Sequence, residues 1–251
     1  MTRPAVRSTS SRLLSWSLWA STGIGLLVVA LGLWVRLKLV ETPAFLEAEA
    51  AEAIPKVPIA TLLTQYLRPT LAGTFGVIAC FALFYLATAF ALGYGTKTLG
   101  YSREAFLAVE LVAIWFLAGG VVVASVLADR HSAGRMLAIG FAGCILVGAL
   151  MGPMLGAGSL FVVALWLSGA LFVMGFAYGP LGGWLPSLFP AGVRYTGVSM
   201  TFNLGGVLGG ALAPIVAEAL APHGLWMVGL YLMAAGVLSL GGLLILGRRP
   251  A

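Results

Sequence analysis

Glu110 is the acidic side chain that stands deepest inside an apolar stretch of this sequence, the run 105–128. Counted from Arg103 at the polar edge of that run, a helical rise of about 1.5 Å per residue carries it about 10 Å inward. A carboxylate at such a depth must be paired, wetted or protonated. Glu110 is therefore a candidate for proton coupling or for contact with a cationic group of a substrate. The competing role is structural, with the side chain reaching back toward Arg103 or the polar boundary. Tyr85 and Thr88 stand three apart in the run 70–95 and so share a helix face. Tyr178 and Asn203 are further hydrogen-bonding groups within apolar runs. All four could bond a carboxylated or zwitterionic solute, and for Asn203 and Tyr178 the alternative is bonding from helix to helix.

Other chemistries find no residues to perform them. Asp129 is the sole aspartate, and the two histidines, His131 and His223, fall in separate polar turns. Paired aspartates, a Ser–His couple and a zinc motif are all missing, so an enzyme is not expected. A retinal protein needs a Schiff-base lysine in its last helix, and the run 225–246 has none. No Walker or dinucleotide glycine pattern occurs, so neither a nucleotide nor any other cofactor is expected, and energy must come from an ion gradient. Cys80 and Cys144 sit inside apolar runs as small hydrophobes, without a CxxC pair or any other metal site.

The elements that must position these residues follow from composition. Of 251 residues, 61% are hydrophobic and 9% charged, roughly a third of the usual charged share. Such a chain cannot furnish the polar shell of a soluble protein. Disorder requires few apolar residues, and the glycines have no collagen period. The apolar runs are continuous over about twenty residues, which fits helices and excludes the alternating segments of a barrel. The fold class is an all-α integral membrane protein whose first partner is the lipid bilayer. The net charge of +6 is explained by Lys and Arg flanking membrane spans, so nucleic acid is not a partner.

After a polar, basic tail at 1–12, an apolar run at 13–35 ends in Arg36 and Lys38. It is too long for the core of a signal peptide and lacks a small-residue cleavage site, so it reads as a retained span. Residues 40–68, with Glu41, Glu47, Glu49, Glu52, Lys56, Pro55 and Pro58, read as a surface loop holding a short helix near 44–53. Six more runs follow, at 70–95, 105–128, 136–156, 160–181, 196–220 and 225–246. Seven transmembrane helices are expected, with short turn-rich separators that make neighbours antiparallel. On one side of the membrane lie nine Lys and Arg and on the other five, which makes the C-terminus cytoplasmic. The basic N-terminal tail then lies outside, against its own preference, as it would if further spans preceded it.

Two stretches carry a family resemblance. Arg36-Leu37-Lys38-Leu39-Val40-Glu41-Thr42-Pro43-Ala44-Phe45 resembles the basic run and Glu-Thr-Pro-x-Phe that follow the sixth helix in the metabolite:proton symporter branch of the major facilitator superfamily. Leu188-Phe189-Pro190-Ala191-Gly192-Val193-Arg194-Tyr195-Thr196-Gly197-Val198-Ser199 is similar to the Phe-Pro-x-x-Val-Arg-Tyr segment that opens that branch's eleventh helix. The resemblance implies a sixth helix at 13–38, a central cytoplasmic loop at 39–69, a six-helix C-terminal transporter half at 70–247 and a cytoplasmic tail at 248–251. It implies a multi-pass protein of the inner (plasma) membrane in which a small organic acid or zwitterionic metabolite moves with protons by alternating access. The N-terminal six-helix half would be missing from this chain, and that half or a homo-oligomer would be its protein partner. The alternative is a truncated or non-transporting remnant, or a regulatory half that needs a partner bundle.

The same resemblance puts Phe84, Tyr85 and Thr88 where the seventh helix lines the solute cavity. The turn Asp129-Arg130-His131-Ser132-Ala133-Gly134-Arg135 resembles the superfamily's Asp-Arg-x-Gly-Arg-Arg, with Ser132 in place of the turn glycine. Asp129, Arg130 and Arg135, with Arg194 in the later motif, would help hold a cytoplasmic gate by charge pairing; the alternative is a plain polar turn with positive-inside anchoring. Gly205 with Gly209 and Gly206 with Gly210 are small-xxx-small pairs that allow close helix approach, and Pro214 should bend the same helix. The tryptophans, Trp16, Trp19, Trp34, Trp115, Trp166, Trp184 and Trp226, read mainly as interfacial anchors and lipid-facing bulk.

Overall fold

The computed structural model describes residues 22–23, 25–34 and 58–245. The tail 1–12, the motif 36–45, the helix expected at 44–53 and the tail 248–251 lie outside the described residues. The chain divides into two units, Met1–Glu47 and Ala48–Ala251. In the first, a helix α1 spans Gly25–Trp34 within the span expected at 13–35.

The second unit begins with a short helix, α2 (Pro58–Gln65), in a stretch expected to be a polar loop. It is held there by Leu62, which is fully buried against Phe189 and Val193. Six helices follow, each long and apolar enough to cross a bilayer: α3 (Leu67–Lys97), α4 (Arg103–Arg130), α5 (Ala133–Leu155), α6 (Leu160–Ser187), α7 (Ala191–His223) and α8 (Leu225–Ile245). Several run past the apolar runs that announced them. α6 continues through Pro186 and α7 begins before Arg194, because apolarity marks the hydrocarbon depth whereas helical hydrogen bonding persists into the polar interface. Two serines start helices: Ser102 Oγ accepts the Ala105 N–H at 3.2 Å and Ser132 Oγ the Arg135 N–H at 3.2 Å. The serine that departs from the family's turn glycine is thus an N-cap.

The helices pack in the series α4, α6, α5, α8, α3, α7, with α3 and α6 also touching across it. The flanking helices α4 and α7 stand apart, so α4, α6, α3 and α7 border one open face. Close approach rests on glycine. A Cβ on Gly120 of α4 would strike the Phe172 carbonyl of α6, and one on Gly175 of α6 would strike the Leu117 carbonyl of α4. Gly205 and Gly209 of α7 lie in the same way against the carbonyls of Thr74 and Ile78 of α3.

Polar bonds join helices inside the bundle. Ser239 Oγ of α8 donates to the Phe75 carbonyl of α3 at 2.6 Å and accepts the Ala79 N–H at 3.0 Å. Trp166 Nε1 of α6 donates to the Val147 carbonyl of α5 at 3.2 Å. Trp166 is only 3% exposed, so its expected place among interfacial anchors is corrected: an indole whose N–H finds a carbonyl is stable in the bundle interior. Trp184 is likewise half-buried, its ring filling the space beside Gly76. Trp115 and Trp226 are exposed, as expected. Trp16 and Trp19 lie outside the described residues.

Candidate functional site

Aromatic rings converge on the open face. Tyr178 of α6 meets the edge of Phe202 of α7 with centroids 6.3 Å apart. Phe202 meets Phe81 of α3 at 5.2 Å, and Phe84 stands against Tyr85 at 5.4 Å. Tyr85 and Tyr178 are each 38% exposed, which leaves both phenol groups accessible beside a largely apolar wall. A small cleft of about 210 Å³ opens beside Tyr178 and Phe202, lined also by Val121, Gly182, Leu185 and Val198.

Glycine also seats this cluster. Gly205 and Gly209 bring the α3 backbone close, while Gly206 and Gly210 give room to the rings of Phe81 and Tyr85; a Cβ on Gly210 would come within 2.7 Å of the Tyr85 ring. Each of the two helices loosens nearby. α3 has a π-helical turn at Leu86–Phe90 and α7 one at Val207–Ala211. In α7 the cause is legible: Pro214 has no N–H to offer the Gly210 carbonyl, so the bend expected of it is absorbed by the wide turn just before. In α3 the one proline, Pro69, stands in the first turn, far from the wide one; beside the wide turn Thr88 Oγ1 donates to the Phe84 carbonyl at 2.7 Å.

Tyr85 is exposed, and Thr88, inside the wide turn, is half-buried with its hydroxyl proton already committed to the Phe84 carbonyl. Asn203 is exposed on α7 and bonds along its own helix, from Nδ2 to the Ser199 carbonyl at 2.7 Å. It makes no helix-to-helix bond among the described residues, and its Oδ1 has no partner there. Tyr178 meets α7 through its ring and not through a hydrogen bond.

Glu110 stands apart from the aromatic cluster. It falls on a half-buried line of α4 with Leu117, Val121 and Ser125, at steps of seven and four. Val121 on that line walls the cleft, about 16 Å farther along the axis. The Glu110 Oε1 is buried and has no hydrogen-bond partner, and no ion pair joins it to Arg103 among the described residues. The pairing of this carboxylate with Arg103 is therefore not seen among the described residues.

At the other polar boundary, Asp129, Arg130 and Arg135 are all exposed and form no ion pair among the described residues, in contrast to the expected charge pairing. The exposed turn leaves their charges in high-dielectric surroundings, where pairing gains little. Arg194 has a different task. Its Nε donates to the Phe189 carbonyl at 3.2 Å, which fixes the loop whose Phe189 ring, 2% exposed, receives Leu62 of α2. Sequence reasoning overlooked Phe81 and Phe202. The spacing of Phe81, Phe84 and Tyr85 by three and one, which is one helix face, was the available signal.

Comparison with known proteins gives a consistent result. The family model described as Major Facilitator Superfamily matches residues 8–214. The chain is 36% identical over 244 residues to the inner membrane metabolite transport protein YhjE of Escherichia coli (strain K12), covering 94% of this chain and 55% of that protein. A putative metabolite transport protein of Haemophilus influenzae is 33% identical over 229 residues, covering 86% and 51%. The citrate-proton symporter of Klebsiella pneumoniae is 32% identical over 222 residues, covering 81% and 47%. The chain thus spans about half the length of the curated relatives it matches. No solved structure matches.

Proposed function

Since the chain belongs to the major facilitator superfamily and is a multi-pass membrane protein, we propose that it supplies one lobe of a secondary transporter that works by alternating access. The solute is a small organic acid or zwitterionic metabolite, and it moves together with protons across the plasma membrane with the C-terminus of the chain cytoplasmic. The observation that carries this reading is the open face bordered by α4, α6, α3 and α7, where Tyr85 and Tyr178 stand partly exposed beside rings packed edge to face. Relatives named as metabolite transport proteins and as a citrate-proton symporter support the reaction class.

In this reading Tyr85, Tyr178 and Asn203 contact the solute. Their hydroxyl and amide groups can donate to a carboxylate, and the Phe81 and Phe202 rings cover its apolar part. Glu110 takes up and releases the coupled proton, because a buried carboxyl oxygen without a donor favours a neutral form that can be exchanged for a charged one when the cleft is wet. Arg194 and the Asp129 turn serve the cytoplasmic end, Arg194 by bracing the loop before α7. The wide turns in α3 and α7 give these two helices points at which to flex.

The test is uptake into proteoliposomes. We expect no accumulation by this chain alone and accumulation, dissipated by a protonophore, when it is co-reconstituted with a complementary six-helix lobe. Robust uptake by the chain alone, or none with any lobe that binds it, overturns the reading; the second result favours a non-transporting partner-binding role.

A further inference from the structure

Away from the aromatic cluster, α3 and α7 end side by side and leave a cleft of about 390 Å³ between them. That volume lies within the roughly 300–1,000 Å³ of small-molecule sites. α3 lines it with Phe90, Gly93, Tyr94 and Lys97, all on one helix face, and α7 lines it with Glu218 near its last turn. The rings of Phe90 and Tyr94 are stacked, 5.6 Å apart and inclined by 26°, and form an apolar floor. Gly93 has nothing within 4 Å of where a Cβ would stand, so the cleft reaches down to the helix backbone.

The charges of this cleft are what select a ligand. Lys97 and Glu218 are both exposed, and neither forms an ion pair among the described residues. A monovalent anion held on Lys97 would face the Glu218 carboxylate, and a monovalent cation held on Glu218 would face the Lys97 ammonium. A short molecule bearing both charges satisfies the two side chains together.

We infer that this cleft is a second binding site, specific for a small zwitterion whose carboxylate meets Lys97 Nζ, whose ammonium meets the Glu218 carboxylate and whose carbon skeleton lies on Phe90 and Tyr94. The site is distinct from the Tyr85–Phe202 cluster, and binding there requires neither a transport cycle nor a second lobe.

Proline, a compact zwitterion, is the probe, beside its amide, which keeps only the positive charge, and cyclopentanecarboxylate, which keeps only the negative one. Equilibrium binding of the radiolabelled compounds is measured on the protein in lipid nanodiscs. Proline is expected to bind about tenfold more tightly than either analogue, and Lys97→Gln and Glu218→Gln each to weaken it about tenfold, the loss of one charged hydrogen bond. Gly93→Leu fills the cleft and abolishes binding. Lys97→Glu and Glu218→Lys each lose binding singly, and their combination restores it, which an unfolded variant cannot do. Equal affinity for the three probes, undetectable proline binding, or proline binding unchanged in Gly93→Leu and the charge variants overturns the inference. Binding kept in Gly93→Leu but lost in Tyr85→Ala overturns it while leaving the central cavity as the solute site. Binding with the expected charge dependence supports it, whatever the uptake assay shows for the chain with or without a second lobe.

Discussion

At the scale of single residues, Glu110 and Ser239 illustrate opposite solutions to a polar group in an apolar bundle. Ser239 has both a donor and an acceptor for its hydroxyl, from the backbone of the neighbouring helix. Interhelical bonds of this kind contribute about 0.6 kcal/mol on average in membrane proteins. Ser239→Ala is expected to lower stability by about that amount in reversible unfolding from micelles, with solute affinity unchanged. Glu110 Oε1 has no such partner. Glu110→Gln keeps the volume and removes the exchangeable charge. In the co-reconstituted transporter we expect it to abolish the rise of uptake with an inward proton gradient while solute binding persists. Proton flux that still accompanies solute in this variant, read by a pH-sensitive dye inside the vesicles, removes Glu110 from the coupling path.

At the scale of elements, the seam between α3 and α7 depends on glycine, and it makes a prediction of sign. Gly209 rests against the Ile78 carbonyl, whereas a Cβ on Gly183 of α6 would meet nothing within 4 Å. Gly183→Ala should stabilise the protein by about 0.5–1 kcal/mol, because it removes backbone freedom from the unfolded chain without any clash. Gly209→Ala should destabilise it by about 1–3 kcal/mol through overpacking of the seam. Thermal unfolding in one detergent distinguishes the two, and shifts of the same sign would refute the close packing of α7 on α3. The helices themselves were readable in advance: α4, α5 and α8 begin and end within about three residues of their apolar runs, a distance set by the width of the polar interface. Their wide turns were only half readable. Pro214 announces the one in α7 through its missing N–H, while the one in α3 contains no proline and its Thr88 bond to the Phe84 carbonyl is matched by Thr96 in a regular turn, so the sequence does not mark it.

At the scale of the whole molecule, the short connections and the six described spans imply that the two ends of α4 lie on opposite sides of the membrane. Glu104 and His131 are both exposed there, about 40 Å apart along the helix. The two native cysteines are buried and give no background labelling. In intact cells, Glu104→Cys is expected to react with a membrane-impermeant thiol reagent and His131→Cys only after permeabilisation; the reverse pattern would invert the orientation drawn from the basic residues. Composition and run length already determined that the chain crosses a bilayer as helices, because hydrocarbon leaves a backbone no other way to satisfy its own hydrogen bonds. The motif around Phe189 and Arg194 likewise pointed to the family before any contact was visible. Which polar residues meet could not be read from the chain. Tyr178, Phe202, Phe81 and Tyr85 come from three helices far apart in sequence, and their meeting depends on which helix faces pack. Trp166 and Lys97 follow the same rule: one turned inward to find a carbonyl, the other came to share a cleft with Glu218. Burial in a membrane helix is a one-dimensional property that hydropathy records, whereas adjacency between helices is fixed by steric fit in three dimensions, and only the packed bundle decides it.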